Sequence, residues 1–474
     1  MRVLFVSAEV SPFAKTGGLA DVAVALPRAL AKHGVETRVV MPKYRGVDGS
    51  AECTEVTEFG VPVAGEEKAC TAFRSLLPGS SVPIYFLGHD PYFDRPEIYG
   101  EGSEYEDALE RFTFLSRGAL ELCRAIDWIP DLIHTNDWHA ALIPAFVADG
   151  VVPWHQGVKT ILTIHNLGYQ GSFPAEQAAV TGLSDAALDP YLNAERINLL
   201  RGGILSSDLI STVSPTYAEE ILEDGAGLEG ELRSRRDVLY GVVNGVDLSV
   251  WNPATDPHLP ANYTADDPSG KTECKRRLQE ELGLTVDPRV PVLGVISRLA
   301  EQKGFDLIIE GFDRMMARGV QFILLGTGSE EYETFFREAE ERLPGRVASR
   351  ITFSEAWAHR IEAGADIFLM PSHYEPCGLN QQYSLLYGTI PVVRATGGLK
   401  DTVEEYNPEA DTGTGFRFDT GTADAFLGAV DRAVALFRDE PAAWRRLVDR
   451  GMRRDLSWDA SAATYRTLYD RLVG

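Results

Sequence analysis

The pattern Thr-Gly-Gly-Leu-x-Asp occurs at residues 16–21 and again at 396–401. A Gly-Gly pair lets backbone approach a ligand closely, and at a helix start its free N–H groups suit an anion. In the first copy, Gly17 and Gly18 follow Lys15, a full positive charge, and Asp21 falls in the first helical turn, where the dipole favours a carboxylate. In the second copy Thr396, Gly397 and Gly398 repeat the arrangement. Either copy alone reads equally well as a tight turn before a capped helix. As a pair they suggest two anion-facing devices, one in each of two domains.

Three further stretches carry chemistry. SRLAEQKGFD at 297–306 places Arg298 and Lys303 between a strand and a helix. A guanidinium fork and an ammonium point charge suit a diphosphate, and an exposed charged loop is the alternative. HYEPCGLNQ at 373–381 sets Glu375 before Cys377, Gly378 and Leu379 at another helix opening. There a carboxylate can bind sugar hydroxyls or offset positive charge, or serve only the helix dipole. Cys377 reads first as a small buried hydrophobe. HTNDWHA at 134–140 and HNLGYQG at 165–171 gather His134, Asn136, Asp137, Trp138, His139, His165 and Asn166 at two strand ends. Polar groups over an aromatic ring suit a sugar, although His134 reads first as a satisfied core residue. His134 and His139 do not have the H-x-x-x-H spacing of a zinc helix, so no metal is expected.

The elements that must carry these residues alternate. RVLFVSAEV is an apolar run of strand length, and Leu19, Val22, Ala23, Leu26 and Leu30 then follow helical spacing. Pro27 falls inside that pattern and should kink the helix or cost it a hydrogen bond. ETRVVMP is the next strand, which makes a β-α-β opening and predicts a parallel sheet. The pattern fails between Tyr240 and Lys275, where Pro253, Pro257, Pro260 and Pro268 fall, and then resumes. The expectation is two doubly wound α/β domains with a cleft between them. The first spans 1–242 together with a C-terminal helix at 456–474, and the second spans 243–455. In such sheets ligands collect at the C-terminal ends of strands.

Composition bounds the function. The 474 residues include 70 acidic and 45 basic side chains, a net charge of −25. That balance argues against nucleic acid or an anionic membrane as a partner. It still permits a small anion held by local cations. Five scattered cysteines without a C-x-x-C pair form neither a disulfide framework nor a zinc site. The N-terminus lacks a signal-peptide layout, and a cytoplasmic setting is expected. A glycoside hydrolase needs two carboxylates at a set separation, and one strong candidate is present. No lysine motif for pyridoxal phosphate, as a phosphorylase would need, stands out. A non-catalytic relative would be expected to lose Lys15, Arg298, Lys303 or Glu375, and all four are present.

Taken in order, KTGGLADV, NDWHA, HNLGYQG, NGVDLSVWNP, SRLAEQKGFD, HYEPCGLNQ and TGGLKDTV resemble bacterial glycogen synthases and plant starch synthases almost end to end. The resemblance implies a GT-B fold of two facing Rossmann-like domains. It implies a retaining transfer of glucose from ADP-glucose to the 4-OH at the non-reducing end of an α-1,4-glucan, with no metal or other cofactor. It makes His139 the active-site histidine and Glu375 the acidic residue near the glucose. Arg298 and Lys303 grip the diphosphate, and Lys15, Gly17, Gly18 and Asp21 form a loop facing the sugar diphosphate. Asn244 and Asp247 fall in a hinge segment counted with the donor site, as are Cys377, Gly378, Leu379, Thr396, Gly397 and Gly398. Tyr99, Asp107, Arg111 and Asn166 fall where an acceptor glucan is expected. Position 383 is Tyr, where many retaining relatives outside this family carry a second glutamate. At 373 the chain has His where arginine is the more common expectation.

Overall fold

The computed structural model describes residues 1–49, 52–100, 103–151 and 156–474. The chain divides into two compact units, Met1–Asn244 with Trp458–Gly474, and Gly245–Ser457. The proline-rich stretch 253–268 therefore lies wholly in the second unit. The chain crosses from one unit to the other just after Asn244 and returns after Ser457.

The first unit is built on strands β1 (Arg2–Val6), β2 (Glu36–Pro42), β3 (Thr54–Val63), β4 (Glu66–Leu76), β5 (Pro83–Gly88), β6 (Leu132–Asn136), β7 (Lys159–Ile164), β8 (Ser172–Pro174), β9 (Leu192–Asn193), β10 (Arg196–Asn198), β11 (Leu209–Thr212) and β12 (Leu239–Gly241). Nine of them form one sheet in the order β12-β11-β7-β6-β1-β2-β5-β4-β3, and β8-β10-β9 form a small sheet. From β12 through β5 the large sheet is parallel, and β1 lies between β2 and β6. β1 and β6 are fully buried apart from Arg2, as a sheet covered by helices on both sides requires; β1 is apolar beyond Arg2, while His134, Thr135 and Asn136 make the C-terminal part of β6 polar. The chain runs outward from β1 in one direction through β2 and β5, and in the other through β6, β7 and β11. The crevice at this reversal falls between the loops that follow β1 and β6.

Periodicity did not reveal β5, β12, or the antiparallel edge made by β3 and β4. Its turn is Ala64-Gly65, both at positive φ (54° and 76°), the conformation of a two-residue hairpin loop. Ala lacks the Asn or Asp signal usual there. The helix Gly18–Lys32 runs continuously through Pro27, whose ring is buried in its apolar face.

The second unit carries β13 (Val292–Ile296), β14 (Gln321–Leu325), β15 (Val347–Arg350), β16 (Ile367–Met370), β17 (Ile390–Arg394) and β18 (Phe416–Phe418). All six pair in parallel in the order β15-β14-β13-β16-β17-β18. This is the Rossmann strand order, with its reversal between β13 and β16. The core joins the sheet to helices Phe305–Met316, Glu330–Arg342, Ala423–Asp439 and Pro441–Met452 through residues such as Phe312, Phe322, Phe336, Val430 and Trp444. A smaller core under Val246, Leu259 and Tyr263 fixes the proline-rich stretch to this unit.

Candidate active site

In the second unit the candidate residues fall at the strand-order reversal. Arg298 lies exposed two residues beyond β13. Lys303 ends a single 3-10 turn, Glu301–Lys303, before the helix Phe305–Met316. Glu375 follows β16 and is 6% exposed. The Lys303 ammonium donates to Glu375 Oε2 at 2.6 Å, and the Ser372 hydroxyl donates to the same oxygen at 3.1 Å. The two loops are laced by backbone as well. His373 N–H donates to the Gln302 carbonyl at 2.8 Å, and Gln302 Nε2 to the Tyr374 carbonyl at 3.1 Å. The His373 ring lies 2.8 and 2.9 Å from the two Asp306 carboxylate oxygens, which ties this loop to the helix start. Arg298, Lys303, Ser372, Glu375, Gly378 and Asn380 line a cavity of about 210 Å³. A buried ion pair beside an exposed guanidinium gives this cavity one fixed carboxylate and two cations. Phe353, three residues past β15, is 90% exposed on the same edge of the sheet; it was not among the sequence candidates.

Gly397 and Gly398 serve a different purpose from the one expected. A Cβ at Gly397 would lie 2.0 Å from the Glu375 carbonyl oxygen, and one at Gly398 would lie 2.1 Å from that of Cys377. The Gly398 N–H is taken by the carbonyls of Glu375 and Pro376, both at 3.1 Å. It is therefore not open to an anion. These glycines let loop 396–398 lie backbone-to-backbone against loop 375–378, with Thr396 buried at the helix cap. Cys377 is buried, as its type suggests, and Leu379 caps the short helix Asn380–Leu386.

In the first unit the loop after β1 is also occupied from within. Glu9, 3% exposed, accepts Thr16 N–H at 2.5 Å, Gly17 N–H at 3.2 Å, the Thr16 hydroxyl at 2.6 Å and the Tyr99 hydroxyl at 2.6 Å. The Gly17 N–H, expected to face a ligand, is thus spent, together with that of Thr16, on a carboxylate of the protein. Lys15 pairs with Asp21 at 2.7 and 2.8 Å, on the surface. A Cβ at Gly17 or Gly18 would meet nothing within 4 Å. The outer face of this loop is bare.

His139 follows β6 and is nearly buried. It stacks on Trp138 at 4.0 Å and on Tyr99 at 4.9 Å, with the edge of Phe112 at 4.7 Å. Its buried Nδ1 meets no partner among the described residues. Burial, helped by the Arg111 charge, pushes its pKa down to about 3, so the ring is neutral. His165, just past the end of β7, belongs to the same strand-end group as His139 in the sequence. It is less buried than His139, and Nε2 lies 2.9 Å from Asn136 Oδ1. Burial lowers its pKa to about 3 also. Asp137 accepts the His165 N–H at 2.7 Å, and burial raises its carboxyl to about 7 against that bond. Its φ of 52° is an uncommon conformation for a residue with a side chain and is typical of functional loops.

The acceptor-side expectation needs correction at two residues. Arg111 is fully buried, donating to the carbonyls of Tyr92 at 2.8 Å and Ile98 at 2.9 Å. Asp107 pairs with Arg95 at 2.7 Å. Both brace the segment 92–98 from inside. Tyr99 ends that segment and joins Glu9 to the His139 stack. Asn166 Oδ1 accepts the Gly168 N–H at 3.0 Å and shapes its own turn. Asn244 is buried at the end of the first unit, while Asp247 belongs to the second and caps its own turn through Ser249. Neither lines the cavity beside Arg298. Among the described residues, no cluster of three His, Cys, Asp or Glu side chains is disposed to hold a metal ion.

Residues 2–234 match the starch synthase catalytic domain family, and residues 282–445 match glycosyl transferases group 1. A glycogen synthase of Anaeromyxobacter dehalogenans is 48% identical over all of this chain and 99% of its own length. The glycogen synthase of Thermotoga petrophila is 46% identical at the same coverage. The chain belongs to the glycogen and starch synthase family. Among solved structures, the catalytic domain of starch synthase IV from Arabidopsis thaliana, bound to ADP and acarbose, aligns with a TM-score of 0.91 at 34% identity over 99% of both chains. A sucrose-phosphate synthase from Thermosynechococcus elongatus shares the fold alone, at 19% identity and a TM-score of 0.59. The fold is therefore GT-B, and the protein is a glycosyltransferase of glycogen or starch synthesis. Among the described residues, no helix of this family member is long and apolar enough to cross a membrane.

Proposed function

We propose that the chain is a glycogen synthase that transfers glucose from ADP-glucose to the 4-OH at the non-reducing end of an α-1,4-glucan, with retention of configuration. The observation that carries this reading is the cavity at the strand-order reversal of the second unit, where Arg298 and Lys303 flank the buried Glu375. In this reading the second unit binds the nucleotide sugar and the first takes the glucan.

Departure of the nucleoside diphosphate puts negative charge on its phosphate oxygens and positive character on the sugar ring. Arg298 and Lys303 offset the first. Glu375, fixed by Lys303 and Ser372, sets a negative charge toward the second. The neutral imidazoles of His139 and His165 add polarity without a competing positive charge. Transfer proceeds on one face of the sugar, with no covalent glucosyl-enzyme. Phe353, in the loop past β15 and two strands from β13 in the sheet order, offers an open aromatic face to a nucleobase of either kind. The setting is cytoplasmic, and no metal is required.

The test is glucan elongation with ADP-glucose and UDP-glucose side by side, with the new linkage typed by NMR. The expected result is α-linked extension with ADP-glucose preferred. Absence of extension with either donor, preference for UDP-glucose, or a β-linked product would overturn the reading.

A further inference from the structure

The hydrogen bonds around Glu9 point to a role for a residue outside the donor cavity. Its carboxylate lies just past β1 and is almost wholly buried. Its four donors are neutral groups from two separate segments, residues 16–17 and Tyr99. One oxygen, Oε2, takes the two backbone N–H groups, and the other, Oε1, takes the two hydroxyls. Tyr99 in turn stacks on His139, which stacks on Trp138. One carboxylate therefore fixes both the bare glycine loop after β1 and the aromatic stack after β6. These are the two sides of the reversal crevice in the first unit.

We infer that Glu9 is a positioning residue for the glucan-side half of the active site. It acts as an internal anion, filling the place that loop N–H groups would otherwise offer to a phosphate. It thereby holds loop 15–18 with its Gly17–Gly18 face outward and sets the plane of the Tyr99 and His139 rings. This rests on the glycogen synthase reading above.

The oxygen assignment makes the idea testable by chemistry. A glutamine can turn its carbonyl toward the two N–H groups and its NH₂ toward the two hydroxyls, which can rotate to accept. Glu9→Gln should therefore preserve the geometry and lose only the charge, whereas Glu9→Ala removes the hub. With ADP-glucose and glycogen, E9A is expected to lower kcat by about 100-fold, the scale of a misplacement near 1 Å. Its KM for ADP-glucose should change much less than kcat, because Arg298 and Lys303, the cations of the donor cavity, belong to the other unit. E9Q is expected to recover most of kcat, and Tyr99→Phe, which removes one bond of four, to lose several-fold. Amide hydrogen exchange at Thr16 and Gly17 is read in parallel and needs no substrate. It should quicken in E9A and stay slow in E9Q.

Equal loss of kcat in E9Q and E9A would overturn the positioning role in favour of a charge effect. So would unchanged exchange at Thr16 and Gly17 in E9A. If E9A does not fold, Y99F and Thr16→Val carry the test: full kcat in both would overturn it. Wild-type protein that exchanges slowly at this loop but elongates no glucan would overturn the functional reading and leave the internal-anion geometry standing.

Discussion

At the scale of single residues, the two Thr-Gly-Gly copies look alike in sequence and differ in physics. Gly397 and Gly398 are required by the protein itself, since any side chain there would strike the backbone of the Glu375 loop. A Cβ at Gly17 or Gly18 would meet nothing within 4 Å among the described residues, so the approach of a ligand is left to account for glycine there. The difference predicts opposite responses to alanine. Gly398→Ala should lower the melting temperature by several degrees and take activity with it, because a carbonyl 2.1 Å from the new Cβ must move. Gly18→Ala, at the start of the helix Gly18–Lys32, should leave melting unchanged or slightly raised, since alanine favours helix by roughly 0.5–1 kcal/mol over glycine. Its elongation rate should nevertheless fall at least tenfold. Thermal scans and initial rates on both variants decide the matter, and a fully active Gly18→Ala would remove the ligand from the explanation. The candidate site was legible in the sequence where charged residues stood in the loops that follow strands: the structure brings Arg298, Lys303 and Glu375 to one cavity, a grouping that the resemblance implied and spacing alone left open. Glu9 falls inside the apolar run RVLFVSAEV and belongs to no motif. Its four partners come from residues 16, 17 and 99, and no local pattern announces a contact across 90 residues. Arg111 failed for the opposite reason, because an arginine in a helical pattern gives no sign that it will be buried.

At the scale of elements, the alternation of strand and helix predicted parallel sheets, and both units have them. It did not reveal the β3–β4 edge, where an Ala-Gly turn stands in for the usual hairpin signal. It also did not show how the C-terminal helix Trp458–Val473 is held. That helix lies against Gly18–Lys32 and turns Trp458, Tyr465, Leu468 and Tyr469 inward. The Tyr469 hydroxyl reaches His134 Nδ1 at 2.6 Å, and His134 Nε2 lies 2.6 Å from the Thr163 hydroxyl, so one helix is pinned to two central strands. Tyr469→Phe should strand a buried ring nitrogen and cost about 1–3 kcal/mol. The loss is read as a lower urea midpoint for the first unit with that of the second unchanged. An unaltered midpoint would mean that the helix is held by packing alone.

At the scale of the molecule, acid should act unequally on the two units. His134, His139 and His165 are all in the first unit, and burial holds each near a pKa of about 3. Unfolded, each would titrate near 6.5. Their contribution is therefore complete above pH 6.5 and is lost as pH falls toward 3. Asp137, raised to about 7 in the fold, has the opposite sign and returns one of the three protons. Over these four groups the unfolded state then binds a net two more protons near pH 5, a slope on the order of 2–3 kcal/mol per pH unit, which Glu104, also raised by burial, partly offsets at the acid end. In the second unit, Glu362, raised to about 8 by burial, favours the folded state on acidification. Hydrogen exchange followed from pH 7.5 to 5 should show the first unit opening earlier, and simultaneous opening would contradict the assignment of neutral buried histidines.

The division of the chain into Met1–Asn244 with Trp458–Gly474, and Gly245–Ser457, has a consequence for synthesis on the ribosome. Although it is made second, the inner unit is the first whose every residue is available. The outer unit emerges early but waits for its last helix until the whole of the inner one has been translated. Through that interval His134 and the face of the helix Gly18–Lys32 lack their cover. A nascent chain stopped short of residue 458 would carry a finished inner unit and an unfinished outer one, so a chaperone that guards nascent chains has its longest task at the N-terminal end of this protein.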